Sequence, residues 1–251
     1  MRHEAEPVDA LHTLIARARA PVFFTGAGIS TASGIDDFRS PGGVWSRMKP
    51  IEFADFLADE QVRLEDWRRR FRFAREFARA TPNVAHRLIA ARGGRVVTQN
   101  IDGLHARAGT RSADLAELHG SGLSASCLDC GVPRDLDDLE AGIDATGRAP
   151  VCERCGGIVK ADVVSFGQPM PAETLEKAAR WCGETDLLVA IGSSLVVNPA
   201  ARLPLVAKRA GASFVIINRE PTPLDAYADL VVRGDMTPLF ETLERLQASS
   251  V

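Results

Sequence analysis

Val22-Phe-Phe-Thr-Gly-Ala-Gly-Ile-Ser30, continuing through Ser33-Gly-Ile-Asp-Asp-Phe-Arg-Ser40, is the stretch that decides how this chain folds. Val22–Thr25 is apolar and β-branched enough to read as a short buried strand, and two glycines follow at once. Small residues at a strand-to-helix turn let backbone amides approach a pyrophosphate at the positive end of a helix. The spacing departs from the usual dinucleotide fingerprint Gly-x-Gly-x-x-Gly, because the third glycine falls late, at Gly34. On this motif alone a structural turn explains the glycines as well as a nucleotide does.

Working outward, Arg95–Gln99, Leu187–Ile191, Phe214–Ile217 and Leu230–Val232 read as further buried parallel strands, with Val163–Phe166 as a sixth candidate. Helical patterns lie between them at Asp9–Arg19, Pro82–Ala91, Ala172–Cys182 and Ala200–Ala210. Strands alternating with helices predict an α/β fold, a Rossmann-like, doubly wound parallel sheet. About 70 residues separate the first two strands and about 60 separate Gln99 from Val163, too many for simple crossovers. The two insertions predict a smaller second domain, helical over Trp67–Ala80 and cysteine-bearing later on. The expected division is 1–34, 82–118 and 162–251 for the Rossmann-like part, and 35–81 with 119–161 for the small one.

Composition narrows the class. With 45% hydrophobic and 25% charged residues, the chain is ordinary for a globular protein, and no apolar run approaches the roughly 18 residues a bilayer crossing needs. Met1–Pro7 is polar and acidic without the apolar core of a secretory signal, so a reducing, cytoplasmic location is expected, with the cysteines as thiols or metal ligands. The net charge of −3 offers no broad grip on nucleic acid.

Cys127-x2-Cys130 and Cys152-x2-Cys155 form two hooks separated by 21 residues, each able to place two thiolates on one tetrahedral ion. Glycines follow each hook (Gly131; Gly156 and Gly157), permitting tight turns that aim amides at sulfur. Four thiolates leave zinc no open position, so such a metal is structural. A nucleic-acid-binding ribbon is disfavoured by the acids between the hooks, Asp135, Asp137, Asp138, Glu140 and Asp144. Cys182, alone on a helical pattern, reads as a core residue.

Gln99-Asn-Ile-Asp-Gly-Leu-His105 puts amides and a carboxylate at the carboxyl end of a strand, where open α/β sheets bind ligands. Glu117-Leu-His-Gly120 adds a histidine eight residues before the first cysteine. Gly192-Ser-Ser194 and Asn218-Arg-Glu220 follow two later strands, as a ligand spread across the sheet edge requires. Helix capping and turns account for the last two clusters equally well when each is taken separately.

Together these segments resemble the sirtuin family of NAD-dependent protein deacylases from about Val22 to Phe240. The motifs carrying the resemblance are Gly26-Ala-Gly-Ile-Ser, Gly34-Ile-x-Asp-Phe-Arg39, Gln99-Asn-Ile-Asp102, Leu118-His-Gly120, both cysteine hooks, Val163-Val-x-Phe-Gly167, Gly192-Ser-Ser194 and Asn218-x-Glu220, in family order. The resemblance implies that NAD is held by Gly26, Ala27, Gly28, Ile29, Asp37, Phe38, Arg39, Gln99, Asn100, Ile101, Asp102, Gly192, Ser193, Ser194, Asn218, Arg219, Glu220 and Met236. It implies one structural zinc on the four cysteines, and an acyl-lysine protein substrate pairing as an added strand with Val164, Ser165, Phe166 and Gly167. His119 becomes the general base, with Asn100 and Asp102 as further catalytic residues. The acyl group passes to ADP-ribose, leaving free lysine, nicotinamide and 2′-O-acyl-ADP-ribose, and a monomer without membrane or specific nucleic-acid partners is expected.

The departures bear on substrate preference. Asp36 stands where many relatives have proline, Gln168 where many have glutamate, and Ser193 where many have threonine. Relatives preferring succinyl or malonyl groups carry a Tyr-x-x-Arg pair, whereas the only tyrosine here is Tyr227, which disfavours that specificity. Arg68, Arg69, Arg70, Arg72 and Arg75 could pair with an acyl carboxylate, though a solvated basic helix face is the better reading. Phe71, Phe73 and Phe77 suit an acyl tunnel or core packing equally. Two alternatives stay open: an ADP-ribosyltransferase or NAD hydrolase on the same scaffold, and a non-enzymatic NAD-sensing module.

Overall fold

The computed structural model describes residues 5–248; the polar opening Met1–Pro7, on which the location was judged, lies largely outside the described residues. Six parallel strands, β1 (Val22–Thr25), β2 (Arg95–Thr98), β3 (Leu115–Glu117), β7 (Leu187–Ile191), β8 (Ser213–Ile217) and β9 (Leu230–Val232), form one sheet. Its order is β3-β2-β1-β7-β8-β9. Between β2's region and β7 the chain builds a second, antiparallel sheet from β4 (Gly120–Cys127), β5 (Pro133–Arg134) and β6 (Val159–Val163), in the order β5-β4-β6.

Successive residues of a strand point to opposite faces, and both faces of the parallel sheet are apolar, so each buries a helical layer. Phe23, Val96, Leu187, Val189 and Val215 pack with Leu11, Ile89, Phe240 and Leu243 from the helices Ala5–Arg17, Val84–Arg92 and Met236–Ala248. Phe24, Val97, Leu188, Ala190 and Phe214 pack the other way, against Trp181, Cys182, Leu203 and Ala207 of Ala172–Glu184 and Leu203–Arg209. Each large side chain so buried contributes about 1.5–3 kcal/mol. Cys182 is thus a core residue, as expected.

A third core holds the small sheet. Leu64, Trp67 and Phe71 of the helix Glu60–Arg79 meet Ala125, Val159, Ala161 and Val163, with Leu139 and Ile143 of the helix Leu136–Thr146. The first of these helices begins well before Trp67, because Asp59 accepts from the Gln61 amide at 2.7 Å and caps it. The acids between the cysteine hooks start the second: Asp135 accepts from the amides of Asp137 and Asp138, and negative charge there suits the positive helix end.

Two expectations need correction. Val163–Phe166 is not a strand of the parallel sheet: only Val163 is in a strand, and that strand is β6 of the antiparallel sheet, paired with Gly120 of β4. The sixth parallel strand is Leu115–Glu117, in register with Val96–Thr98, three residues whose composition carries no strand signal. Ala200–Ala210 also divides, into a 3-10 turn at Ala200–Arg202 and an α-helix at Leu203–Arg209. Among the described residues no helix is long and apolar enough to cross a membrane.

Candidate active site

The strand order reverses between β1 and β7, where crossovers leave to opposite sides and open a crevice beyond the carboxyl ends. Thr25 lies level with Thr98 and with Ile191, and Ile191 with Ile217. The four turns that follow, at Gly26, Gln99, Gly192 and Asn218, therefore reach the same edge. Here the glycines answer to each other first. A Cβ on Gly26 would stand 2.8 Å from the Gly192 oxygen, and one on Gly28 2.8 Å from Gly192 Cα, so the two turns cross with backbone against backbone. The late Gly34 caps the 3-10 helix Ala27–Ser33 at φ +83°, donating its amide to Thr31 O.

Beneath the crevice one hydroxyl joins the amide and the acid. Asn100 Nδ2 donates to Ser30 Oγ at 3.1 Å, and Ser30 Oγ donates to Asp102 Oδ2 at 2.7 Å. Asp102 Oδ1 accepts from the Leu104 amide at 2.9 Å. All three polar side chains are buried, and burial raises the Asp102 pKa despite these donors. Ser30 belongs to the quoted glycine motif, yet its tie to Asp102, 72 residues on, could not be read from sequence.

His119 Nδ1 lies 2.9 Å from the Gln99 carbonyl oxygen. A carbonyl only accepts, so Nδ1 carries the proton and Nε2 of the neutral ring keeps a bare lone pair. Burial lowers the pKa of His119, Arg39 lowers it further, and the Gln99 carbonyl opposes both. The neighbouring Val164 amide donates to His119 O at 2.9 Å, and Gln99 Nε2 donates to Ser193 Oγ at 2.7 Å, tying base, strand segment and glycine-serine turn together. Gln168 Oε1 accepts from the Ser165 amide at 3.1 Å, a bond a glutamate would make equally, so this departure from the family pattern leaves the segment's shape alone.

These residues surround a cavity of about 890 Å³. Gly26, Ala27, Gly28, Asp37, Phe38, Arg39, Gln99, Asn100, Ile101, His119, Val164–Gly167, Gly192–Ser194, Asn218 and Glu220 all line it. Ile29, Arg219 and Met236 instead line an adjoining cavity of about 250 Å³, which shares Gly28 and Asp37 with the large one. Asp102 lines a third, of about 310 Å³, with Phe73 and Phe77. Those two rings therefore face the third cavity, while Phe71 stacks on Trp67 in the small core, and none of the three lines the large one. Of the arginine-rich helix only Arg70 lines the large cavity, and it pairs with buried Asp66 at 3.2 Å. Arg69 and Arg75 pair with Glu65 and Glu140, and Arg68 and Arg72 are exposed.

At the tip of the small sheet the four cysteine sulfurs lie within 4.8 Å of one another. Cys127 to Cys155 is 3.5 Å and Cys130 to Cys152 is 3.7 Å. Zinc–sulfur bonds of about 2.3 Å give a tetrahedron with edges of about 3.8 Å, so the group fits zinc. The Cys130 amide leads in lowering the Cys127 thiol pKa, while the neighbouring cysteine sulfurs push that of Cys155 up, as thiols crowded together without a cation do. The lining also fits a dinucleotide: the serine hydroxyls of Ser193 and Ser194 and the Arg39 guanidinium face the large cavity beside the Gly26 turn.

A Rossmann-like sheet with a four-cysteine module, and a histidine held as a base beside the nucleotide turn, defines a nucleotide-using enzyme class. The sequence pattern of the Sir2 family matches residues 26–199. An NAD-dependent protein deacetylase of Rhodopseudomonas palustris is 50% identical over 234 residues, 91% of this chain and 92% of that protein. NAD-dependent protein deacylase 2 of Pyrobaculum aerophilum is 41% identical, covering 88% of each. Among solved structures, Sir2 with a p53 peptide and NAD+ superposes with a TM-score of 0.80 at 33% identity, over 97% of this chain and 98% of the other. Sir2Tm bound to a propionylated peptide gives 0.80 and 33% over the same shares. The chain belongs to the Sir2 family.

Proposed function

We propose that the cleft removes acyl groups from protein lysines at the expense of NAD, with His119 as general base and Asn100 and Asp102 as its catalytic companions. The observation that carries this reading is the bare Nε2 of His119, in one cavity with both the nucleotide turns and Val164–Gly167. Bound NAD supplies an activated anomeric carbon with nicotinamide as leaving group. Val164, Ser165, Phe166 and Gly167 offer an edge for the backbone of an extended acyl-lysine peptide. Asn100, held by Ser30, orients groups at the floor, and Arg39 faces the phosphates. His119 accepts a proton at Nε2 from the ribose hydroxyl that takes up the acyl group, giving free lysine and 2′-O-acyl-ADP-ribose.

NAD contacts are assigned to the residues lining the large and adjoining cavities, Arg219 and Met236 included. Acetyl and other neutral acyl groups are the preferred substrates, because Asp66 already neutralises Arg70, the cavity's one helix arginine. The division into 1–34, 82–118 and 162–251 against 35–81 and 119–161, the cytoplasmic location, the monomeric state and the lack of a specific nucleic-acid partner form part of the same reading. The test is incubation with NAD and a panel of acetyl-, propionyl-, succinyl- and longer acyl-lysine peptides, following peptide mass and nicotinamide. Loss of neutral acyl groups in step with nicotinamide release is expected; nicotinamide without acyl loss would make the chain a transferase or hydrolase.

A further inference from the structure

The strand that leads into the peptide edge is held at its end by a buried cation. β6 pairs with β4 step for step from Val159 opposite Cys127 to Ala161 opposite Ala125, and then the register jumps to Val163 opposite Gly120. A break of this kind bends the strand and takes main-chain groups out of the ladder, which must find partners elsewhere. Lys160 lies at the break, 2% exposed, and its Nζ donates to Ala161 O at 3.3 Å and to Val163 O. Val163 C=O and Val164 N–H belong to one rigid peptide plane and point opposite ways. The carbonyl side of that plane is bonded to Lys160 and the amide side to His119 O at 2.9 Å, so the plane is clamped between the ammonium and the backbone of the base. The same Nζ lies 5.9 Å from the Phe53 ring centroid and 5.7 Å from that of Phe56, within cation–π reach. Phe53 in turn donates its amide to Phe166 O at 2.8 Å, holding the far end of the segment.

We propose that Lys160 is a positioning residue for the acyl-lysine substrate: its clamp on the Val163–Val164 peptide unit, and its contact with Phe53, hold Val164–Gly167 at the cleft for the peptide to pair with. The proposal rests on the deacylase reading and adds to it what keeps the edge in place. A lysine is a costly way to fill a core, because its desolvated charge requires partners. Among the described residues Lys160 makes no ion pair: Asp66 is taken by Arg70 at 3.2 Å, and Asp162 accepts from Ser126 Oγ. Its hydrogen bonds go to main-chain carbonyls instead, and these set the course of the segment. Burial and the Arg70 guanidinium bring its pKa down to about 8, against the pull of Asp66 and Asp162. The ammonium is present below that value and lost as pH climbs through it, so the clamp weakens on the alkaline side.

The test uses the full chain with an acetyl-lysine peptide and saturating NAD. Lys160→Met keeps the length and the apolar stem and removes the donors. The peptide KM is expected to rise about tenfold or more, the worth of a hydrogen bond to a charged group, while kcat at saturating peptide and the affinity for NAD alone are retained. A merely structural lysine would instead weaken NAD and peptide binding together. Lys160→Arg supplies a charge that does not titrate. In the native chain the peptide KM rises as pH climbs through about 8, and in the arginine variant it stays level, a comparison that stands if the methionine variant fails to fold. An unchanged peptide KM in folded Lys160→Met, an equal loss of NAD affinity, or the same alkaline rise in native and arginine chains overturns the clamp. A native chain that cleaves NAD and leaves acetyl-lysine intact overturns the deacylase reading instead. Peptide affinity by fluorescence polarisation, native against Lys160→Met, then still decides the clamp.

Discussion

The imidazole of His119 becomes a base through one bond. Its Nδ1 proton is committed to the Gln99 carbonyl, so the free lone pair sits at Nε2 in the cavity. His119→Ala is expected to retain NAD binding, read by calorimetry, and to lose deacylation by about 10²–10⁴-fold, the range of general acid–base catalysis. Only the neutral ring accepts a proton, and burial and Arg39 hold its pKa below the ordinary 6.5. The acid limb of the kcat/KM profile should therefore fall below pH 6.5, with activity present above that pKa and lost as pH drops through it; a limb above 6.5 would contradict the assignment. Ser30 acts on two partners at once. Ser30→Ala strands the Asn100 amide and Oδ2 of Asp102, each at about 1–3 kcal/mol, while Asp102 Oδ1 keeps the Leu104 amide. A fall in kcat/KM accompanied by a lower melting temperature is expected, and Ser30→Thr should recover more of both than alanine does.

At the scale of elements, the crossing of the Gly26–Gly28 and Gly192 turns sets how closely β1 and β7 deliver their ends. Gly192 has φ +62°, and a Cβ there would stand 2.4 Å from the Ile29 amide nitrogen. Gly192→Ala should weaken nucleotide binding and stability together, whereas a variant with unaltered NAD affinity would show that the turns can separate without cost. The small sheet has a different weakness. Its core is thin, and two of the four thiols, Cys127 and Cys152, are themselves buried members of it. Metal removal by a chelator should melt β4–β6 and abolish activity while the parallel sheet keeps its helical circular dichroism. Full activity in metal-free protein would remove zinc from the structure.

Across the whole molecule, a pair of buried histidines contributes part of the acid sensitivity of the fold. His86 and His105 are fully or nearly buried, their rings 4.9 Å apart edge to face, with His105 Nε2 on Thr25 Oγ1 at 2.9 Å. Burial depresses His86 to about 4 and His105 to about 3. Unfolding frees both to bind protons near the ordinary 6.5, so the unfolded state holds more protons between that value and the folded ones. Stability contributed by the neutral pair is full above 6.5 and is lost as pH falls from there towards 4, by up to about 1.4 kcal/mol per unit for each ring. Urea melts of the native chain and of His86→Phe between pH 7 and 4 measure this, and the variant should show the shallower decline.

Much of this protein is legible in the bare sequence because it depends on neighbours along the chain. Apolar runs mark β1, β2, β7, β8 and β9, glycines mark the turns after them, and paired cysteines mark a tetrahedral site whatever surrounds them. Tertiary structure decided the rest. Leu115–Glu117 is a strand only because β2 offers it a free edge, and Val163 ends an antiparallel strand because β4 lies beside it. Ser30 joins Asn100 to Asp102, and Arg70 is silenced by Asp66, through packing of separate segments. The second cavity beside Asn100 and Asp102 is lined jointly by the Ala27–Ser33 turn and the helix Glu60–Arg79, segments far apart in sequence. A residue's periodicity and chemistry are carried along the chain, whereas its partner across the fold is set by which surfaces bury each other, and only the folded molecule contains that information.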